Sequence, residues 1–235
     1  MKKANEIIES KRAGMMTNIT NEITSMSGQI KTHESNLMKD KFVDETCPPQ
    51  EALKELEMMN NKIVKQKEKN EAYERVQKLM GVTPSPNKEL EDLVVKYNDR
   101  KLLWTHVDEF MKLQEHWQVF NIRELDYEDI QKDVQQYKVT AFKLRINIRN
   151  LSKDDKDRVL DMHEERIKYI DNLMPIICAV ANKHLKDKHW KKIFDKLEQP
   201  FQPGKHISLT ELLSYRIQDK REPVEEISAR ASGEK

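Results

Sequence analysis

Apolar residues recur along most of this chain at steps of three and four, the spacing that lines one face of an α-helix. The seam is cleanest at Tyr127, Ile130, Val134, Tyr137, Ala141, Leu144 and Ile148. Asp126, with Asp129 three residues on, predicts the cap that opens it. Upstream, Ala52, Leu56, Met59, Ile63, Tyr73 and Met80 form a coiled-coil-like seam whose middle slots, Gln66 and Asn70, are polar. Gly81 suits the position that ends this helix. Thr83-Pro84-Ser85-Pro86 reads as a rigid connector, with Ser85 capping and Pro86 opening a helix that runs to about Phe120. Residues 1–46 are weaker. Ile7, Ile8, Met15, Met16, Ile19, Ile23, Met26, Ile30 and Leu37 fall at rough helical spacing among Asn, Ser, Thr and two Gly, so this stretch reads as a marginally helical or disordered arm.

Toward the C-terminus the elements shorten. Ser152 with Asp155 resembles a capping box opening a helix through Val159, Met162, Ile167, Ile170, Leu173, Ile177 and Val180. Pro175 lies inside that pattern and is expected to kink the helix or split it in two. His184 to Leu197 reads as a short amphipathic helix, residues 200–204 as a loop, and Ser208 with Glu211 as a capping box opening a helix to about Ile217. A last helix starts at Glu222-Pro223 and reaches Ala231. No repeat of 20–50 residues is evident. The pattern predicts an all-α, elongated array of helical bundles with coiled-coil-like helices, divided as an arm at 1–46, a coiled-coil-like helix at 47–82 and helical bundles at 83–235.

Composition narrows the class. Of 235 residues 35% are charged and 37% hydrophobic, with five Gly and eight Pro, too little turn punctuation for an all-β fold. A mean hydropathy of −0.85 and the lack of a long apolar run exclude a membrane span, and the residues after Met1 lack the apolar core of a signal peptide. Lys plus Arg is 42 against 41 Asp plus Glu, a net charge of +1, which argues against a dedicated nucleic-acid binder. The local run of lysines from Lys183 to Lys192 reads as a solvated helix face. Cys47 and Cys178 make neither a disulfide framework nor a zinc site and read as free thiols. No phosphate-binding GxxxxGK[ST] appears. His184 and His189, five apart, do not share a ligand face, and His163-Glu164 reads as an exposed pair produced by chance on a highly charged chain.

One stretch is distinctive. Residues 173–197 read Leu-Met-Pro-Ile-Ile, a spacer, then Leu-Lys-Asp-Lys-His-Trp-Lys-Lys-Ile. This resembles the dynein heavy chain family where the tail passes into the linker: Pro175 after a leucine, then Lys188, His189, Trp190 and, after two polar residues, Ile193. Trp104 and Trp117 resemble the family's spaced tryptophans. Residues 207–213 resemble its short helix after the His-Trp motif, and Ala231 to Glu234 the Ala-x-x-Glu step beyond. The resemblance covers about residues 90–235. Lys188 stands where the family often has Arg, and Gly233 is a poor helix residue.

The resemblance implies a linker, incomplete here, that lies across a ring of ATPase modules and swings as the ring hydrolyses ATP. ATP and Mg would bind that ring, with no cofactor, metal or catalytic residue in this segment; only the full-length member would be a microtubule-motor ATPase. It implies as partners the rest of the heavy chain's motor ring, intermediate or light chains or other heavy chains through the tail, and microtubules only indirectly, with neither nucleic acid nor membrane. Axonemal members outnumber cytoplasmic ones, which favours the axoneme of a cilium or flagellum. Within this frame Trp190 reads as a bundle anchor, His189 as a hydrogen-bonding partner of a helix end or neighbouring bundle, Pro175 as a fixed bend, and Trp104 and Trp117 as anchors of one broad face. The rival reading is a non-motor coiled-coil or spectrin-like scaffold, which accounts for the seams but not for the ordered Pro, His-Trp and late capping elements.

Overall fold

The computed structural model describes residues 2–149 and 156–234, and over these the chain is all-α. Eight helices are described: α1 (Lys2–Leu37), α2 (Pro49–Leu79), α3 (Lys88–Val119), α4 (Tyr127–Arg149), α5 (Arg158–Val180), α6 (Asp187–Lys196), α7 (Leu209–Ser214) and α8 (Arg221–Gly233). Among the described residues extended backbone pairs only in an isolated bridge, Asn121 with Ser208. The chain divides into two compact units, one of Met1–Thr105 with Leu144–Val159, the other of His106–Lys143 with Leu160–Lys235. Helices α3, α4 and α5 contribute residues to both.

In the first unit, α1 is a continuous helix rather than a disordered arm. Its Ile19, Met26, Ile30 and Leu37 are buried, as are Ala52, Leu56, Met59 and Ile63 of α2. The two run antiparallel, tied by Tyr73 donating to Glu22 (3.1 Å) and by the Gln66–Gln29 side-chain bond. Packing of this kind, not propensity, supplies most helical stability, so weak helix formers are tolerated. Thr17, Thr20, Thr24 and Thr32 each turn the hydroxyl back onto the carbonyl four residues earlier, at 2.9–3.0 Å. Gly81 ends α2 with a φ of 73°, closing a Schellman motif in which the N–H of Val82 reaches Gln77 O and that of Gly81 reaches Lys78 O, both at 2.9 Å.

Two expected starts differ. α3 is capped not by Ser85 but by Asn87, whose Oδ1 accepts the N–H of Leu90 (3.1 Å). The Ser152–Asp155 box lies outside the described residues, and α5 begins at Arg158. Asp126 does cap α4, accepting the N–H of Glu128 (3.0 Å).

The centre of the first unit is a charge. Arg100 of α3 is buried and pairs with buried Asp157, just before α5, at 2.7 Å. The same guanidinium donates to the carbonyl of Phe42 (3.2 Å), in the turn between α1 and α2, and the indole N–H of Trp104 reaches that carbonyl too (3.2 Å). Three segments distant in sequence thus converge on one ion pair. Removing one member takes the ion-pair partner from a charge that stays buried. Arg100→Met is expected to lower the unfolding free energy in urea by about 3–5 kcal/mol, and the double change Arg100→Met with Asp157→Leu to recover most of it.

Candidate functional site

Four of the expected residues, Lys188, His189, Trp190 and Ile193, lie on α6 in the second unit. Its start has no Ser, Thr, Asp or Asn cap. The Nδ1 of His189, three residues into the turn, accepts the N–H of Lys186 (3.1 Å), as a Glu does in a capping box. Because Nδ1 accepts, the ring proton sits on Nε2, which faces Glu234 Oε2 at 3.2 Å. Lys188 pairs with the same carboxylate and, as the stronger influence, holds Glu234 below the usual carboxylate range. The Lys-His pair of α6 is thereby fastened to the end of α8. Behind this, Trp190 and Ile193 are fully buried, and Val224, Ile227 and Ala231 of α8 are buried with them. Asn182, in the turn before α6, donates to the Ser228 carbonyl (3.0 Å) and to the hydroxyls of Ser228 and Ser232 (each 2.8 Å), completing the clasp.

Trp190 is held from the other side by Arg123, whose guanidinium lies 5.3 Å from the indole and 5.8 Å from the Phe201 ring while Nη1 bonds Asp187 (3.0 Å). Phe194 stacks at a tilt on Phe201 (5.5 Å) and meets Tyr215 edge-on (6.2 Å). Arg123 lies in a one-turn helix, Ile122–Glu124, too short to show periodicity, so sequence reasoning missed it. That turn is pinned by Ile122 N–H donating to the Ile207 carbonyl (2.8 Å). Ser208 caps α7 through Glu211 N–H (3.1 Å), but the Glu211 side chain turns to Lys205 (2.7 Å) and Tyr215 (3.0 Å). Thr210 and His206 satisfy the last carbonyls of α3, Gln118 and Val119, each at 2.9 Å.

The remaining residues are dispersed. Pro175 sits inside one continuous helix, which it does not split. It lines an open cleft of about 620 Å³ with Cys178, Asn182, Lys183, Glu225 and Ser232. Trp104 and Trp117 do not anchor one face. Thirteen residues at 100° each set them about 140° apart around α3. Trp104 reaches Phe42 in the first unit, whereas Trp117 meets Phe110 edge-on (6.0 Å) in the second. Lys183 pairs with Asp126 (2.8 Å), and Lys191 and Lys192 are exposed. Among the described residues no group of three or more His, Cys, Asp or Glu side chains is placed to hold a metal ion, and no helix is long and apolar enough to cross a membrane. Cys47 is buried and Cys178 exposed, both free.

His163 is not an exposed chance pairing with Glu164: it is fully buried. Its ring stands nearly perpendicular to Phe110 (5.7 Å), Tyr137 (6.3 Å) and His106 (6.4 Å). Burial is the main cause pulling its pKa down to about 3, with His106 and Arg166 adding to it. Burial, then Glu109, pushes Tyr137 up to about 12.

Residues 90–235 match the family model described as dynein heavy chain, N-terminal region 2. This chain belongs to the dynein heavy chain family. It is similar to the human dynein axonemal heavy chain 2, at 22% identity over 160 residues, which is 66% of this chain and 4% of that protein. It is likewise similar to human dynein axonemal heavy chain 6, at 24% over 163 residues, and to rat dynein axonemal heavy chain 1, at 21% over 165, each covering 69% of this chain and 4% of the relative. The chain thus spans about 4% of the length of these relatives. The dynein match takes in the whole clasp, from Asn182 to Glu234, and α1 and α2 lie before it.

Trp190→Ala should destabilise this dynein segment by about 3–5 kcal/mol, read as a fall in melting temperature, since it removes the ring on which Arg123 and Phe194 rest. Glu234→Gln should leave the melting temperature almost unchanged, because the Lys188–Glu234 pair is solvent-exposed.

Proposed function

We propose that this chain serves a microtubule motor as the passage from tail to linker, carrying the ATP-driven movement of the motor ring to the tail. The observation that carries the reading is the family match over residues 90–235, the stretch that holds the clasp. The helices suit a mechanical role. At 1.5 Å per residue, the 32 residues of α3 make a rod about 48 Å long. The clasp binds short helices by a buried aromatic stack and by side-chain hydrogen bonds to helix ends, which resists bending without a catalytic group. On this reading ATP and Mg act elsewhere in the heavy chain. The partners are the motor ring of the same heavy chain and, through the tail, intermediate, light or other heavy chains, with microtubules engaged only indirectly. The names of the relatives favour an axonemal setting. The division into an arm at 1–46, a tail helix at 47–82 and the start of linker bundles at 83–235 goes with it.

The test uses an antibody raised against residues 182–197 on ciliary and cytosolic extracts. A band far above 27.9 kDa, enriched with axonemes and released from microtubules by ATP, is the expected result. A single band near 27.9 kDa without ATP-sensitive microtubule association would overturn the reading and favour a free-standing helical scaffold.

A further inference from the structure

His163 takes no part in the clasp. Its two ring nitrogens are buried with no hydrogen-bond partner, and the Nδ1 of its neighbour His106 is buried without one as well. Such groups are costly in a protein core, and a protonated imidazole there costs far more than a neutral one. The rings around His163 come from two other helices, Phe110 and His106 from α3 and Tyr137 from α4, so α5 seats its own polar ring among aromatic edges.

The charges that act on His163 are like charges, whereas His106 has an acidic neighbour. From α3, Glu109 leans to the Tyr137 hydroxyl at 3.5 Å and acts on His106. From α4, Asp133 acts on Tyr137. On α5 itself Arg166 brings a like charge.

We propose that His163 forms an acid-sensitive lock in the second unit: as pH falls, protonation of its imidazole opens α5 from α3 and α4 around it. The sign follows from linkage. His163 binds its proton near pH 6.5 when exposed and only near pH 3 when seated. Acid therefore favours the open form, and the lock is fully closed only above pH 6.5. The open population should grow about tenfold by pH 5.5 and about a hundredfold by pH 4.5 relative to neutral pH, one decade per unit for one proton. The inference stands apart from the motor reading.

Amide hydrogen exchange of the whole 235-residue chain, corrected for the intrinsic pH dependence of exchange, reads the opening directly. In the parent, protection over residues 159–170 should fall about tenfold per pH unit below 6.5. In His163→Phe the fall over 159–170 should disappear. An equal fall in that variant, or no fall in the parent, would overturn the lock. Should the variant not fold, the imidazole carbon-bound proton resonances of the folded parent decide: a His163 ring that stays neutral to pH 4.5 supports the lock, and one that titrates near 6.5 overturns it.

Discussion

The first unit depends on a charge placed where water cannot reach it. Arg100 satisfies a carboxylate and a backbone carbonyl at once, and Trp104, one turn on along α3, shares that carbonyl. A buried ion pair contributes little net stability against apolar residues of the same size, because desolvation offsets most of the attraction. Its effect is on specificity. The guanidinium is planar and its donors point in fixed directions, so the turn between α1 and α2, the middle of α3 and the approach to α5 can meet in only one arrangement without stranding a charge.

The second unit is organised around aromatic rings instead. Trp190 is buried in α6 with the guanidinium of Arg123 over its indole, and the helices of this region are short. Helices of six to thirteen residues do not hold their shape in water unaided. Their starts are accordingly satisfied by side chains: His189 caps its own turn and Ser208 caps α7, while Thr210 and His206 cover the last carbonyls of the long α3. This is why the stretch that resembles the dynein heavy chains is a set of residue identities at fixed places rather than a periodic pattern. Of these, His189 meets an orphan N–H at a helix start, while Trp190 and Ile193 fill the core.

Legibility followed the same division. The seam of α4 was readable because burial at Ile130, Val134, Ala141, Leu144 and Ile148 repeats with the helix, and Asp126 announced its start. The clasp was half readable: Lys188, His189, Trp190 and Ile193 stood out by resemblance, and the Ala231–Glu234 step with them. That Glu234 closes on Lys188 and His189 depends on α8 returning to α6, a contact between residues more than forty apart. Arg123 left no trace, because a single turn has no period. His163 was misread because its flanks are charged, and only the packing of three helices buries it.

By itself the chain determined its helices. Apolar spacing, prolines and capping side chains act within a few residues, so the information is local and survives in one dimension. It also determined the class, through the family resemblance of residues 90–235. Only the tertiary structure decided that the weak N-terminal pattern becomes a 36-residue helix, that Trp104 and Trp117 serve different units, and that an arginine and a histidine are sealed in the interior. Burial is a sum over neighbours brought from distant parts of the chain, and a polar residue tolerates it only when those neighbours supply what water did, or, as at His163, when the packing around it outweighs the loss.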